Sequence, residues 1–220
     1  MNTMAGINVG LVLPHWAYWG GLLLIPILLI IWSYSLEKKN KIKRALSPQM
    51  AEPSNGFTKV VDWVSEHTGQ LVAFWTIMAV FCYTYEVIAR YIFNKPTIWA
   101  QEAAYLIFGM QYVIAGAYTY LWNAHVCVDI LYVKLPMRGR RGMDIFCSIF
   151  SMIFAVTLIG TCYGFFQKSL AMKEITVETW QIQYYPVKGL MMVGGIIILL
   201  AIFSKLYKDI KMFNQLGREA

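Results

Sequence analysis

The chain is 220 residues long, 58% hydrophobic and only 14% charged, with a net charge of +7. A soluble domain is about 45–50% apolar and 25% charged, a body this small cannot bury such an apolar excess, and disorder requires the opposite composition. The chain is therefore expected to lie in a membrane.

Crossing about 30 Å of hydrocarbon takes about 20 helical residues. Residues 1–36 carry no Asp, Glu, Lys or Arg, and 18–36 form the first apolar run, with Pro26 marking a kink. A signal peptide would have a positive n-region; here a basic run follows instead, Lys38, Lys39, Lys41, Lys43 and Arg44. That order predicts an uncleaved helix. The next runs are 68–85, 103–124, 145–167 and the shorter 189–204. Period-two alternation is absent, which argues against a β-barrel. The expected fold is an all-α integral membrane protein with five transmembrane helices.

Between these runs the cations are unevenly shared. Fourteen Lys and Arg fall at one set of ends (38–59, 134–141, 205–218) and five at the other: Arg90, Lys95, Lys168, Lys173 and Lys188. The positive-inside bias places the N-terminus outside and the C-terminus in the cytoplasm. Residues 57–67 put Phe57, Val60, Val61 and Val64 on one helical face, either as a short interfacial helix or as an extension of the second span. A second interfacial segment is expected over 126–135. The linker 47–53, with two prolines, leaves the first helix looking appended to a four-helix body. The expected organisation is an added helix over 1–37, a basic linker over 38–56, a body over 57–208 and a tail over 209–220.

No phosphate-binding glycine loop, nucleophile elbow or zincin motif is present. Cys82, Cys127, Cys147 and Cys162 lack metal-type spacing and read as small hydrophobes. No internal repeat appears, and five helices are few for a complete secondary transporter. A membrane subunit serving a larger partner fits better. Glu86 and Arg90 stand i,i+4 in the favourable order. Pro96 forces a turn before Trp99 and Glu102, and that turn is expected to bring Arg90 near Glu102, with Glu86 competing. His67 and His125 fall near the basic ends of neighbouring spans, where two imidazoles could hold a haem iron. A haem-binding anchor of a redox enzyme is therefore the alternative reading. Gly160 and Gly164 form a G-x-x-x-G, which permits close helix packing.

One stretch is more specific. Arg90-Tyr-Ile-Phe-Asn94 precedes Trp99-Ala-Gln-Glu102, an apolar helix with Gly116-Ala117, then His125-Val-Cys-Val-Asp129-Ile-Leu131 and Leu135-Pro136. This resembles the small-permease (DctQ-type) subunit of tripartite ATP-independent periplasmic (TRAP) transporters, from about Phe57 to Tyr207. Gln101 stands where that family usually has an acid, and the first helix is an addition to the usual four. The resemblance implies a non-enzymatic subunit of the bacterial inner membrane. Its partners would be a large (DctM-type) permease, a periplasmic substrate-binding protein and membrane lipids, with no nucleic acid, cofactor or metal. It implies sodium-driven symport of an organic acid, with the small subunit bracing the large one. Glu86, Arg90, Trp99, Glu102, His125 and Asp129 become candidate structural or subunit-contact residues.

Overall fold

The computed structural model describes residues 14–40, 55–125, 132, 134–176 and 180–217, and five long helices stand among these described residues. They are α1 (His15–Asn40), α2 (Gly56–Tyr91), α3 (Ile98–Leu121), α4 (Met137–Met172) and α5 (Tyr185–Leu216). At 36 residues, α2 and α4 are each about 54 Å long, well beyond the hydrocarbon thickness. Their ends therefore project past the apolar slab. Residues 57–67 are the first turns of α2 rather than a separate interfacial helix, because no Pro interrupts the run into the span. Asn55 starts the helix: its N–H donates to Thr58 Oγ1 at 2.9 Å, and its Nδ2 donates to the Tyr207 hydroxyl at 2.6 Å.

α1, α2, α4 and α5 are long and apolar enough to cross a membrane by composition. α3, at 24 residues, is not among them: it carries Gln101, Glu102, Gln111 and tyrosines 105, 112, 118 and 120. The reason is its place. It packs between α2 and α5, which in turn carries α4, while α1 lies against α2. Ala100, Ala103, Ala104, Leu106, Ile107, Met110, Ile114, Ala117 and Leu121 are all buried, so most of α3 meets protein instead of lipid. At about 36 Å it is still long enough to cross the hydrocarbon.

Helix approach relies on glycines other than the G-x-x-x-G pair. A Cβ on Gly69 would overlap the Tyr118 ring, and one on Gly194 would lie 3.1 Å from Ile114 Cγ1. Gly160 and Gly164 face open space on α4. Asn123 and Lys173, at φ 50° and 47°, take the left-handed turn that ends α3 and α4. Behind them Ala124 N–H reaches Thr119 O at 2.8 Å and Glu174 N–H reaches Ser169 O at 3.0 Å.

α1 docks through its first half. Tyr18 and Leu22 are buried in the main core with Trp75, Ala103 and Trp180, while Leu24, Leu28, Ile31 and Trp32 are exposed. Pro26 explains one tie. It has no N–H, so the Leu22 carbonyl one turn earlier lacks its helical donor. Trp75 Nε1 of α2 fills the gap at 2.9 Å.

Candidate functional site

The turn between α2 and α3 is built around a carboxylate. Glu86, 5% exposed, receives Arg90 at Oε1, with Nη2 at 2.5 Å and Nε at 3.0 Å. Its Oε2 accepts the Thr97 N–H at 2.9 Å and the Thr97 hydroxyl. One side chain thus closes α2 onto the N-cap of α3. Glu102 is engaged elsewhere: its Oε2 accepts the Thr176 hydroxyl at 3.1 Å, and Thr176 Oγ1 in turn accepts Ile182 N–H at 3.1 Å. The arginine shared between two acids is therefore not what forms. Arg90 stays with Glu86, which also holds Thr97, and Thr176, a short hydroxyl on a loop, takes the place expected for Arg90 at Glu102, so the two acids serve two corners. Trp99 stacks on Tyr85 with ring centroids 5.8 Å apart and packs against the main core.

The segment between α4 and α5 folds back on itself. Thr176 N–H donates to Ile182 O at 2.8 Å and Tyr184 N–H to Glu174 O at 3.0 Å. This inserts Trp180 and Ile182, 4% and 0% exposed, into the core. Trp180 meets Tyr18 edge-on at 5.1 Å, and its carbonyl accepts His15 Nε2 at 2.9 Å. The Tyr18 hydroxyl donates to Ala103 O at 3.1 Å. In the loop before α5, Glu174 pairs with Lys188 of the first turn of α5, which holds that carboxyl below the ordinary glutamate range. The starts of α1, α3 and α5 and the ends of α2 and α4 are thereby joined at one end of the molecule.

At the opposite, basic end two consecutive residues of α5 point to different neighbours. Lys208 Nζ meets Asp62 Oδ2 of α2 at 2.5 Å, and Ser204 Oγ donates to Asp62 Oδ1 at 3.0 Å. Asp209 Oδ1 meets Arg141 Nη1 of α4 at 2.6 Å. Lys208 and Asp209 are 0% exposed. Glu66 adds a third tie, accepting Trp122 Nε1 at 3.2 Å and Gln70 Nε2 at 3.0 Å. The crevice beside this cluster, lined by Asp62, Ser65, Tyr120, Leu121 and Ala201, is too tight to hold a water molecule. Read from sequence, Lys208 and Arg141 were only charges in a topology count, and Asp62 only the polar side of an amphipathic segment. A faint signal existed: Asp62 lies i+4 from Thr58, i−3 from Ser65 and i−7 from Gly69, all four buried in the structure.

The histidines are occupied locally. His67 Nδ1 lies 2.8 Å from Trp63 O, and His125 Nε2 lies 2.7 Å from Thr119 Oγ1, with its ring 4.2 Å from Tyr120. Asp129, with most of the expected second interfacial segment, lies outside the described residues.

Comparison with known proteins agrees with this architecture. The family described as "Tripartite ATP-independent periplasmic transporters, DctQ component" matches residues 77–212, more than half of the chain. The match begins inside α2, so α1 lies outside it. The chain is also similar to the sialic acid TRAP transporter small permease protein SiaQ of Vibrio cholerae serotype O1. The two are 25% identical over 113 residues, covering 50% of this chain and 65% of that protein, so the match spans just under two thirds of the relative's length. Neither comparison supports the haem-anchor alternative.

Proposed function

The chain belongs to the DctQ component family of TRAP transporters, and from that membership we propose that it is the membrane brace of a large permease in the sodium-driven uptake of an organic acid. It is a transporter subunit and not an enzyme. In the proposed assembly a DctM-type permease carries the substrate and ion sites, and a periplasmic binding protein delivers the substrate. The relative named above handles sialic acid, which supports an anionic substrate, a carboxylate or sulfonate, for the transporter as a whole.

The observation that carries the brace reading is the use made of buried charge. A transport pathway marks itself with polar groups facing a cavity. Here Glu86, Glu102, Asp62, Lys208, Arg141 and Asp209 are committed to contacts between helices or across turns. Such contacts fix helices relative to one another, as a static support requires. The charge bias further supports the basic end, with the C-terminus, as cytoplasmic and the Glu86–Thr176 end as periplasmic.

Reconstitution tests this reading. Liposomes holding the large permease and this chain, with the binding protein and an inward sodium gradient, should accumulate the acid. Omitting the chain should lower uptake and the recovery of intact permease together. Uptake by this chain alone would overturn the proposal.

A further inference from the structure

Most of the surface that α1 and α4 leave uncovered is aliphatic or phenyl: Leu24, Leu28 and Ile31 on one, Ile149, Ile153 and Phe154 on the other. This is what lipid tails accept. The open stripe of α3 is different. Gln101, Tyr105, Phe108 and Tyr112 follow at i, i+4, i+7 and i+11, one face of a helix. Tyr105 is 66% exposed and Tyr112 74%. Tyr112 stacks on Phe108 with centroids 6.2 Å apart, and Phe108 on Tyr83 of α2 at 6.0 Å. Neither the Tyr105 nor the Tyr112 hydroxyl makes a hydrogen bond among the described residues, and the neighbouring Gln111 Oε1 is buried without a partner.

Depth makes this stripe costly in lipid. Tyr112 sits about 4 Å from the midpoint of α3, far from either headgroup layer. Interfacial tyrosines are held by the wet end of the ring, and at mid-depth that anchor is gone. A hydroxyl there needs a partner from protein, since hydrocarbon offers none. Gly109, beside the stripe, meets nothing within 4 Å, which leaves room for a helix backbone to come close.

We propose that the Gln101–Tyr105–Phe108–Tyr112 stripe of α3 is the face on which a transmembrane helix of the large permease docks, one carrying hydrogen-bond acceptors at the depth of Tyr105 and Tyr112. The inference rests on the brace reading and adds the surface and the chemistry of the contact.

A photo-crosslinking residue placed at Tyr105 or Tyr112 in cells making the whole transporter should give an adduct whose peptides identify the large permease. The same residue at Phe154 of α4 or Leu28 of α1 should not. In parallel, Tyr105→Phe/Tyr112→Phe should lower recovery of the permease with this chain about tenfold, the worth of two interhelical hydrogen bonds in a membrane. The amount of this chain should be unchanged, because Phe suits lipid. Co-purification of the permease with adducts only from the control positions would overturn the docking face while leaving the brace reading intact. An adduct with a second copy of this chain, or full recovery of the permease with the double Phe variant, would also overturn the face. Absence of any co-purifying permease would overturn both.

Discussion

Replacing Lys208 by Met removes one half of a pair that is sealed from water. The Lys208 side chain is 0% exposed and that of Asp62 7%, with Nζ and Oδ2 2.5 Å apart. At an effective dielectric of about 20 their gross attraction is about 6–7 kcal/mol. Desolvation of two ions costs several kcal/mol each, so the net worth of the pair is near zero. The single variant is another matter. It leaves the Asp62 carboxylate buried with the Ser204 hydroxyl as its side-chain donor, a situation that costs about 3–5 kcal/mol. For a chain of this size that corresponds to roughly 10 °C in melting temperature. Asp62→Leu/Lys208→Met, with both charges gone and the volume kept, should melt close to or above the native chain. Heat-induced loss of the monodisperse peak on size-exclusion chromatography in mild detergent reads all three proteins. If Lys208→Met melts within about 2 °C of native, the scale of a surface change, the ammonium reaches the interface and the clasp between α2 and α5 does not exist. If the double variant is worse than the single one, the reasoning about desolvation is wrong.

Four further outcomes follow. Gly69→Ala forces a methyl into the Tyr118 ring near its Cβ, where the chain cannot swing away; it should lose about 1–3 kcal/mol, and Tyr118→Val in the same chain should restore part of the melting temperature. Pro26→Ala returns a helical donor to the Leu22 carbonyl, so the loss on Trp75→Phe, about 1–3 kcal/mol for an orphaned buried acceptor, should shrink markedly in that background. The Glu174 carboxyl is held low by Lys188, so its contribution is fully present above the ordinary glutamate pKa and fades as pH falls through its own lower value; the melting difference between native and Glu174→Gln should persist from neutral pH to about pH 5 and vanish in stronger acid. Single cysteines at Lys168 should react with an impermeant reagent from outside and those at Gly139 should not, whereas Thr176, buried and bonded to Glu102, is a poor probe of sidedness.

How much of this was legible follows from what kind of information each feature needs. Apolar runs give helices, because lipid leaves few other solutions, and the five runs match five helices to within their polar extensions. Glu86 and Arg90 were legible as a pair because both lie on one helix at fixed spacing. Glu102 was misassigned because its partner Thr176 is 74 positions away, on a loop whose fold depends on Trp180 finding the pocket between α1 and α3. Lys208 and Asp209 were illegible for a related reason. Adjacent residues on a helix point about 100° apart, so which neighbour each reaches depends on helix order, and sequence does not print that. Pro26 was legible as an irregularity, but not as the cause of an inter-helix bond.

The two ends of the molecule solve one mechanical problem differently. A row in which α1, α2, α3, α5 and α4 follow one another, with α2 also touching α5, can shear unless its ends are fastened. Apolar side chains in the middle resist separation but little resists sliding, since lipid tails are as good a neighbour as leucine. At the periplasmic end of the proposed topology the fastening is by hydrogen bonds, Glu86 to Thr97 and Glu102 to Thr176, which fix loop corners. At the basic end it is by two ion pairs, Lys208–Asp62 sealed from water and Arg141–Asp209 half-sealed, that join α5 to α2 on one side and to α4 on the other. A one-turn slip of α5 would leave four charges without partners, three of them buried, a far larger penalty than the loss of any one apolar contact. The helices are thereby held in register as a rigid slab. A support against which a neighbouring subunit moves needs stiffness of this kind.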